Sequence, residues 1–199
     1  MLTRQISRFD EETHTYYDQF DKPFISTTQL LKIMGVTPDY SFVNQRVLEM
    51  AARRGQVIHK EIEEYIKYGK IGFTIELGSF IDYIKRYHLK PVASELMVND
   101  DNIAGTIDII LQTEDGKLIL ADIKTTSSRY PESVSWQISI YKKLLGKWNG
   151  QEISALQELH FTKAGKIKPY DIPQKSLEEI NNLIMKGINK YDQQCCSSW

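Results

Sequence analysis

The stretch of sequence that decides the fold is GTIDIILQTEDGKLILADIK, residues 105–124. Aliphatic and β-branched residues fill both of its halves, as is typical of buried strands, and Asp115-Gly116 between the halves is a turn signal. Each half carries one aspartate, Asp108 or Asp122, and Lys124 follows the second aspartate by two residues. Because a buried carboxylate is costly unless it is paired or bound to metal, these charges require an explanation.

The length of the turn decides whether the two aspartates share a face of the sheet. A two-residue turn at Asp115-Gly116 leaves Asp108 and Asp122 on opposite faces. A three-residue loop, residues 114–116 with a left-handed glycine, places Asp108 directly opposite Asp122. The β-carbons then lie about 5 Å apart, with Lys124 one pleat farther along the same face. Two anions this close favour a cation between them, and a hard divalent ion with oxygen ligands suits that position.

Two further residues whose side chains can ligate a metal ion are predicted to lie near this hairpin. Glu95 is on the preceding predicted strand, on the same face as Ala93 and Met97, so it should point away from bulk water. His59 lies one helical turn after Gly55, and a residue that small lets a strand or a phosphate backbone approach the imidazole. Taken alone, each such residue is usually structural. Together they supply one nitrogen and three carboxylates beside a lysine, which favours a catalytic metal site.

Gln137 and Tyr141 form a second polar pair, on a predicted helix that follows the hairpin. They are i and i+4 neighbours and therefore share one face of that helix. A polar stripe beside the core residues Trp136, Ile140 and Leu144 would show the same pattern. Next to a metal cluster, however, a glutamine amide and a phenol are groups that hold the phosphate or the base of a substrate.

Hydrophobic periodicity predicts an α/β domain with a mixed central sheet. A small hairpin is expected over residues 5–18, and Ser26 then caps a short helix, with Gln29 at capping-box spacing and Gly35 as its stop. The other helices are predicted over residues 43–67, 75–88, 131–145 and 176–191, and the strands over residues 92–98, 103–112, 118–125, 156–162 and 167–172.

We interpret residues 1–199 as a single domain with four parts. Its parts are the hairpin and short helix (1–42), a helical part that carries His59 (43–90), the sheet with its crossover helix (91–175), and a last helix with a tail (176–199).

The composition excludes several classes of protein. Hydrophobic residues make up 41% and charged residues 26%, which is ordinary for a globular chain and wrong for a disordered one. No apolar run approaches the roughly 20 residues of a membrane span, and the first residues lack the apolar core of a secretory signal, so a cytoplasmic protein is expected. The sequence has only two cysteines, the adjacent Cys195 and Cys196, which excludes a disulfide framework and a four-cysteine zinc or iron–sulfur site within one chain.

The charge balance is more informative by region than in total. The net charge of -1, from 25 Lys plus Arg against 26 Asp plus Glu, excludes nucleic-acid binding by bulk positive charge. Residues 43–70 nevertheless hold six Lys or Arg against four glutamates, and residues 140–168 hold six against two. This distribution indicates a local basic groove beside an acidic centre.

In these residues the chain resembles the PD-(D/E)xK nuclease superfamily, and specifically its RecB-like exonuclease branch. The motifs follow the family's order: residues 55–59 (GQVIH), Glu95, residues 105–108 (GTID), residues 122–124 (DIK), and residues 137–141 (QISIY), the glutamine-x-x-x-tyrosine motif of the RecB branch. Upstream, residues 24–31 are similar to a proline-serine-valine-threonine segment of phage and mitochondrial genome-maintenance exonucleases, although the proline is displaced to Pro23 and the valine is Thr27. The resemblance covers residues 23–145.

The resemblance implies a restriction-endonuclease-like core that hydrolyses phosphodiester bonds with two Mg²⁺ or Mn²⁺ ions. It assigns the metal ligands to His59, Asp108, Asp122, the backbone carbonyl of Ile123, and, for the second ion, Glu95. It also implies that Glu95, Asp108, Asp122 and Lys124 are catalytic, with Lys124 orienting or deprotonating the attacking water. DNA contacts are expected from Gln137, Tyr141, Arg53, Arg54, Thr125, Ser26 and Thr28.

The resemblance further implies a DNA exonuclease that acts on single-stranded or duplex ends in recombination, repair or end processing. The two cysteines exclude the iron–sulfur cluster of many relatives, and no Gly-x-x-x-x-Gly-Lys-Ser/Thr loop is present for a helicase motor, which favours the stand-alone phage type. Besides DNA, a second copy of the chain or a recombination protein is the partner class; no membrane partner is expected. Two alternatives stay open: a structure-selective endonuclease or junction resolvase on the same core, and a catalytically silent DNA-binding module.

Overall fold

A computed structural model describes residues 4–10, 13 and 15–196 of the chain. Its elements in chain order are β1 (Ile6–Asp10), β2 (Thr15–Asp18), β3 (Ile25–Ser26), α1 (Thr27–Ile33), α2 (Gln45–Tyr68), α3 (Ile75–Arg86), β4 (Lys90–Asn99), β5 (Ile103–Gln112), β6 (Leu118–Lys124), α4 (Pro131–Leu145), β7 (Lys147–Trp148), β8 (Gln151–Phe161), β9 (Ile167–Asp171) and α5 (Leu177–Cys196).

The main sheet is mixed and has seven strands. Its order is β3-β5-β6-β8-β7, with β4 paired to β5 and β9 paired to β8, while β1 and β2 form a separate hairpin. The β3–β5 and β6–β8 pairs are parallel, and the other pairs are antiparallel. This arrangement confirms the predicted α/β class with its mixed central sheet and N-terminal hairpin.

The β5–β6 hairpin has the three-residue loop that the sequence offered as one of two alternatives. Ile109 pairs with Ala121, and Gly116 in the loop has a left-handed φ of 82°. Glycine adopts this conformation without a steric cost, so the loop follows directly from the sequence. The pairing ends one residue before Asp108 and Asp122.

One edge of β5 is shared by two partner strands. β4 pairs along residues 104–112 of β5. Because β3 pairs with Ile103 and Ala104 and β6 pairs with residues 109–112, these two strands must lie on the other edge. Residues 105–108 therefore lie in a gap between β3 and β6, which we call the fork.

Helices cover both faces of the sheet. On one face, Ile58 of α2 and Phe80 of α3 pack in the same apolar cluster as Ile109. On the other face, Ile138 of α4 packs with Ile110. A third cluster joins α1 and α5 to the start of β5 and contains Leu30, Leu31, Ile103, Ile140, Ile180 and Leu183.

Helix α1 begins as its sequence predicts. The Ser26 hydroxyl accepts a hydrogen bond from the Gln29 backbone N–H at 3.1 Å, and the Gln29 side chain accepts one from the Ser26 N–H at 3.0 Å. Gly35, just past the helix, has a φ of 70°. The capping box and the glycine stop are both confirmed.

Several predicted boundaries are wrong, and two strands went unpredicted. β3 and β7 have two residues each, which is too short for an alternating pattern to show. β8 begins at Gln151 rather than 156, after a turn at Asn149-Gly150 whose φ values of 48° and 81° are typical of a tight hairpin. The remaining differences are shifts at element ends: α2 begins at Gln45, α3 ends at Arg86, β4 spans Lys90–Asn99, β6 ends before Thr125, and α5 runs to Cys196.

Some sequence predictions lie outside the described residues. These are residues 11, 12 and 14 of the hairpin, residues 1–3 and 197–199 of the predicted domain, and the side chains of Cys195 and Cys196. Within the described residues, no helix combines the length and the apolar character that a membrane span requires.

Candidate active site

Asp108 and Asp122 lie where β5 and β6 separate at the fork. Only 13% and 3% of the two side chains are exposed. Asp108 Oδ2 accepts a hydrogen bond from the Ile123 backbone N–H at 2.7 Å, so the carboxylate replaces a strand partner. Burial raises the pKa of Asp122 to about 6, with Lys124 opposing and Asp108 adding to the increase. Burial also raises the pKa of Asp108. Both groups therefore favour a neighbouring cation.

Lys124 connects the carboxylates to α4. Its Nζ donates hydrogen bonds to Asp122 Oδ1 at 3.1 Å and to Gln137 Oε1 at 3.2 Å. Gln137 Nε2 in turn donates to the Tyr141 hydroxyl at 3.2 Å. Burial lowers the pKa of Lys124, but the charges of Asp122 and Asp108 outweigh it and raise the pKa overall. The ammonium group is thus held in its charged form beside two polar groups of the helix.

His59 reaches the same carboxylates from α2. Its Nδ1 lies 3.2 Å from Glu95 Oε1 and 3.9 Å from Asp108 Oδ1. Burial lowers the pKa of His59, but Asp108, Glu95 and Asp122 outweigh it and raise the pKa to about 9. One ligand atom from each of His59, Glu95 and Asp108 lies within 4.8 Å of the other two. Three of the four predicted side-chain ligands are therefore together.

The donor set suits a hard divalent ion. Carboxylate oxygens are the ligands that Mg²⁺ and Mn²⁺ prefer, and the imidazole nitrogen adds a ligand that suits transition-metal ions. Asp122 Oδ2 is buried and accepts no hydrogen bond from the described residues, although Lys124 Nζ lies 2.9 Å away outside hydrogen-bond geometry. The ion pair with Lys124 offsets part of the cost of burying that oxygen, and a divalent ion would offset more of it. Asp122 is adjacent to the three-ligand cluster but is held by Lys124, and the Ile123 carbonyl stays a prediction as a ligand.

Glu95 departs from regular strand geometry. Its φ is 47°, a left-handed conformation that a non-glycine residue adopts only at a cost of about 1–3 kcal/mol. The alternation that would place Glu95 on one face with Ala93 and Met97 is therefore interrupted at this residue. The Glu95 carboxylate is 29% exposed, and its Oε1 lies 3.2 Å from His59 Nδ1.

Two glycines allow close packing around the site. A β-carbon on Gly55 would stand 3.3 Å from Thr125 Oγ1, so the absence of a side chain lets α2 approach the end of β6. A β-carbon on Gly105 would overlap the Tyr141 ring and stand 3.1 Å from Thr27 Oγ1. Burial raises the pKa of Tyr141 well above its usual range, which keeps its hydroxyl protonated and able to donate.

Tyr16 is a residue of the site that the sequence motifs did not reveal. It comes from the N-terminal hairpin, is 2% exposed, and its hydroxyl lies 2.9 Å from Thr106 Oγ1 in the fork. Burial raises the pKa of Tyr16, the hydrogen bond with Thr106 opposes this, and the charges of Glu95 and Asp108 add to it. In the structure the residues of β2 alternate between intermediate and buried positions, and Tyr16 is one of the buried ones.

A second buried charge network lies one strand away. Glu158 pairs in register with Asp122 and is completely buried. It accepts hydrogen bonds from Arg129 Nε at 2.9 Å and Nη2 at 3.1 Å, and His160 Nδ1 lies 3.0 Å from its Oε1. The Arg129 guanidinium stacks 3.4 Å from the centre of the Tyr170 ring. In the sequence, the signal for this network was the glutamate Glu158 inside an otherwise apolar strand.

The predicted DNA contacts fall in different environments. Gln137 and Tyr141 lie in the site itself. Arg54 is paired with Glu76 and donates to the Thr125 carbonyl at 3.3 Å, so it links three elements of the fold. Ser26 is buried in its capping box. The remaining predicted contacts with exposed side chains are Thr28 and Arg53.

The chain was compared with solved structures and with curated proteins. Among solved structures, the chain is similar to the crystal structure of SSO0001, with 19% identity and a TM-score of 0.49 over 83% of this chain and 75% of that chain. It is also similar to a phage-related exonuclease from Haemophilus somnus 129PT, with 11% identity and a TM-score of 0.45 over 88% and 96% of the two chains. No curated protein matches the chain in sequence.

The family comparison covers most of the chain. The model of the PD-(D/E)XK nuclease superfamily matches residues 43–196, a region that contains every residue of the carboxylate, lysine and histidine cluster. The mixed sheet flanked by helices is consistent with the restriction-endonuclease-like core of that superfamily. The chain belongs to the PD-(D/E)XK nuclease superfamily.

Proposed function

We propose that this protein is a divalent-metal-dependent DNA exonuclease of the RecB-like branch, of the phage and mitochondrial genome-maintenance type. The observation that carries the proposal is the buried pair of Asp108 and Asp122, with His59 and Glu95 on one side and Lys124 on the other. This set keeps every charged group of a phosphodiesterase centre, whereas a silent binding module has no use for such costly buried charges.

The residues at the fork have distinct proposed roles toward metal. His59, Glu95 and Asp108 would hold Mg²⁺ or Mn²⁺, with Asp122 and the Ile123 carbonyl completing the ligands of two ions. When bound, such ions supply Lewis acidity that activates water and stabilises the leaving oxygen. Three carboxylates face one ammonium and one imidazole, so the site keeps an excess of negative charge that a divalent ion would offset.

The groups on the α4 side act on the substrate in this proposal. Lys124 Nζ, fixed by Asp122 and Gln137, orients the attacking water and offsets the charge that develops on the phosphate. Gln137 and Tyr141 present an amide and a hydroxyl to the phosphate or base at the DNA end. Since Tyr141 is buried and neutral, it serves as a fixed hydrogen-bond donor.

The test is digestion of end-labelled linear single strands, linear duplex and a closed circle, with Mg²⁺, Mn²⁺ or a chelator. We expect mononucleotide release from linear DNA in the presence of either ion and none with the chelator. Asp122→Asn should reduce the rate at least about 100-fold, since a lost metal ligand removes several kcal/mol of transition-state stabilisation. Asp82→Asn, at an exposed position of α3, is the matched control and should cleave like the parent protein.

Other outcomes correspond to the other interpretations. Cutting of the closed circle supports a structure-selective endonuclease or resolvase on the same core. Binding without cleavage under either ion supports a silent DNA-binding module. If Asp122→Asn cleaves as well as the parent protein, the proposed chemistry is wrong. If exonuclease activity is found, we further propose a role in recombination or repair. The partner would then be a recombination protein or a second copy of the chain.

A further inference from the structure

A groove between α1 and the start of α2 lies beside the candidate active site. It has a volume of about 580 Å³, and its lining includes Thr28, Lys32, Tyr40, Ser41 and Gln45. This volume falls within the roughly 300–1,000 Å³ of sites that hold single small molecules. The groove is therefore of a size for individual unpaired nucleotides rather than for a duplex.

Tyr40 connects this groove to the active site. Its ring meets the Tyr130 ring edge-on, with the centroids 5.9 Å apart and the planes at 87°. The two residues are 36% and 37% exposed, which leaves aromatic surface available to a ligand. Tyr130 directly precedes α4, the helix of Gln137. Partial burial raises the pKa of Tyr40, with Tyr130 adding to the increase and Lys124 opposing it.

The other end of the groove also adjoins the site. Thr28 lines the groove, and its neighbour Thr27 donates a hydrogen bond to the Ala104 carbonyl at 3.1 Å. Thr27 Oγ1 and the Tyr141 ring both stand next to Gly105 in the fork. The start of α1 thus lies between the groove and the fork and adjoins both.

The charges of the groove favour bases over phosphates. Its lining includes one ammonium, Lys32, and one carboxylate, Asp39. Asp39 accepts a hydrogen bond from the Ser41 backbone N–H at 2.8 Å, which disperses part of its charge. The net charge of the lining is therefore near zero. An uncharged, flat ligand suits such a surface better than a phosphodiester does.

We propose that this α1–α2 groove binds unpaired nucleobases of the substrate strand, with one base stacked on Tyr40. The proposal rests on the nuclease function proposed above and specifies its substrate: the end must be unpaired to enter. Aromatic side chains hold single strands by stacking, which tolerates any sequence because every base has a π face. Single-stranded ends are accordingly preferred over blunt duplex ends.

The experiment measures binding of two fluorescein-labelled oligomers by anisotropy, with a chelator present to prevent cleavage. One oligomer is oligothymidine, and the other is an abasic sugar-phosphate chain of the same length. We expect the parent protein to bind oligothymidine about 5- to 150-fold more tightly, the factor that corresponds to one stacked base. Tyr40→Ala should lose this preference without weakening the binding of the abasic chain, and Tyr40→Phe should keep it.

Tyr68→Ala is the matched control, because Tyr68 is 78% exposed at the far end of α2. It should bind both oligomers like the parent protein. The proposal is overturned if the parent protein does not distinguish the two oligomers, if Tyr40→Ala keeps the preference, or if Tyr40→Ala weakens the binding of both oligomers equally.

Cleavage of single strands with Mn²⁺ is measured in parallel. If the parent protein cleaves but Tyr40→Ala keeps the base preference, the groove proposal fails alone; if the base preference depends on Tyr40 but nothing is cleaved, the nuclease proposal fails alone.

Discussion

Replacing Gly105 with alanine tests how closely α4 is fitted to the fork. The new β-carbon would overlap the Tyr141 ring and stand 3.1 Å from Tyr141 Cζ and from Thr27 Oγ1. Tyr141 is 5% exposed and its hydroxyl accepts a hydrogen bond from Gln137, so its ring cannot move into solvent. Inserting one methyl group into a closely packed position costs about 1–3 kcal/mol. We therefore expect the free energy of unfolding to fall by about 2 kcal/mol.

Urea denaturation of a double-mutant cycle measures this contact. In a Tyr141→Ala background the cost of Gly105→Ala should fall by at least about 1 kcal/mol, because the overlapping ring is gone. Gly78→Ala is the control: a β-carbon there meets nothing within 4 Å, and alanine should stabilise α3 by about 0.5–1 kcal/mol. An equal cost of Gly105→Ala in both backgrounds, or no cost at all, would refute the packing argument.

Two further predictions concern buried charges. Without metal, the protein should lose stability as the pH rises from 6.5 to about 9, because over that window the folded state holds the His59 proton more tightly than the unfolded chain does. Thermal melting in chelator measures this, with a flatter profile in His59→Gln; a profile that rises, or one that His59→Gln leaves unchanged, contradicts it. Arg129→Ala should lower the free energy of unfolding by about 3–5 kcal/mol, because it removes the bidentate partner of the fully buried Glu158. Urea denaturation checks this value, Arg129→Lys should recover part of it, and a loss below about 1 kcal/mol would show that the pair is not needed for stability.

The hairpin around Asp108 and Asp122 was predictable because local rules determine it. Runs of aliphatic and β-branched residues identify both strands, and Gly116 selects the loop that sets their register. Local signals also identified α1 through Ser26 and its capping box. The family order of motifs then indicated that His59 belongs with these carboxylates, and the structure places its Nδ1 3.9 Å from Asp108 Oδ1.

The rest depends on contacts between distant parts of the chain. Tyr16 reaches Thr106 across 90 positions, and no local pattern predicts that meeting. Arg129 and Glu158 belong to different elements, so their pairing appears only once β6 and β8 lie side by side. The left-handed backbone of Glu95 likewise follows from its surroundings, because nothing in the sequence of β4 favours it.

The fork has a consequence for how much of the chain is needed. The region that matches the superfamily begins at residue 43, so the N-terminal hairpin, β3 and α1 lie outside it. Yet β3 covers the edge of β5 at Ile103, and Tyr16 and Thr27 pack beside residues 105–108. Without the N-terminal hairpin, β3 and α1, the edge of the apolar strand β5 would carry unpaired N–H and C=O groups. A second chain could then add a strand to this edge. The N-terminal segment thus covers an edge at which the sheet could otherwise aggregate. A fragment that begins at residue 43 would keep every proposed metal ligand but would leave this edge uncovered.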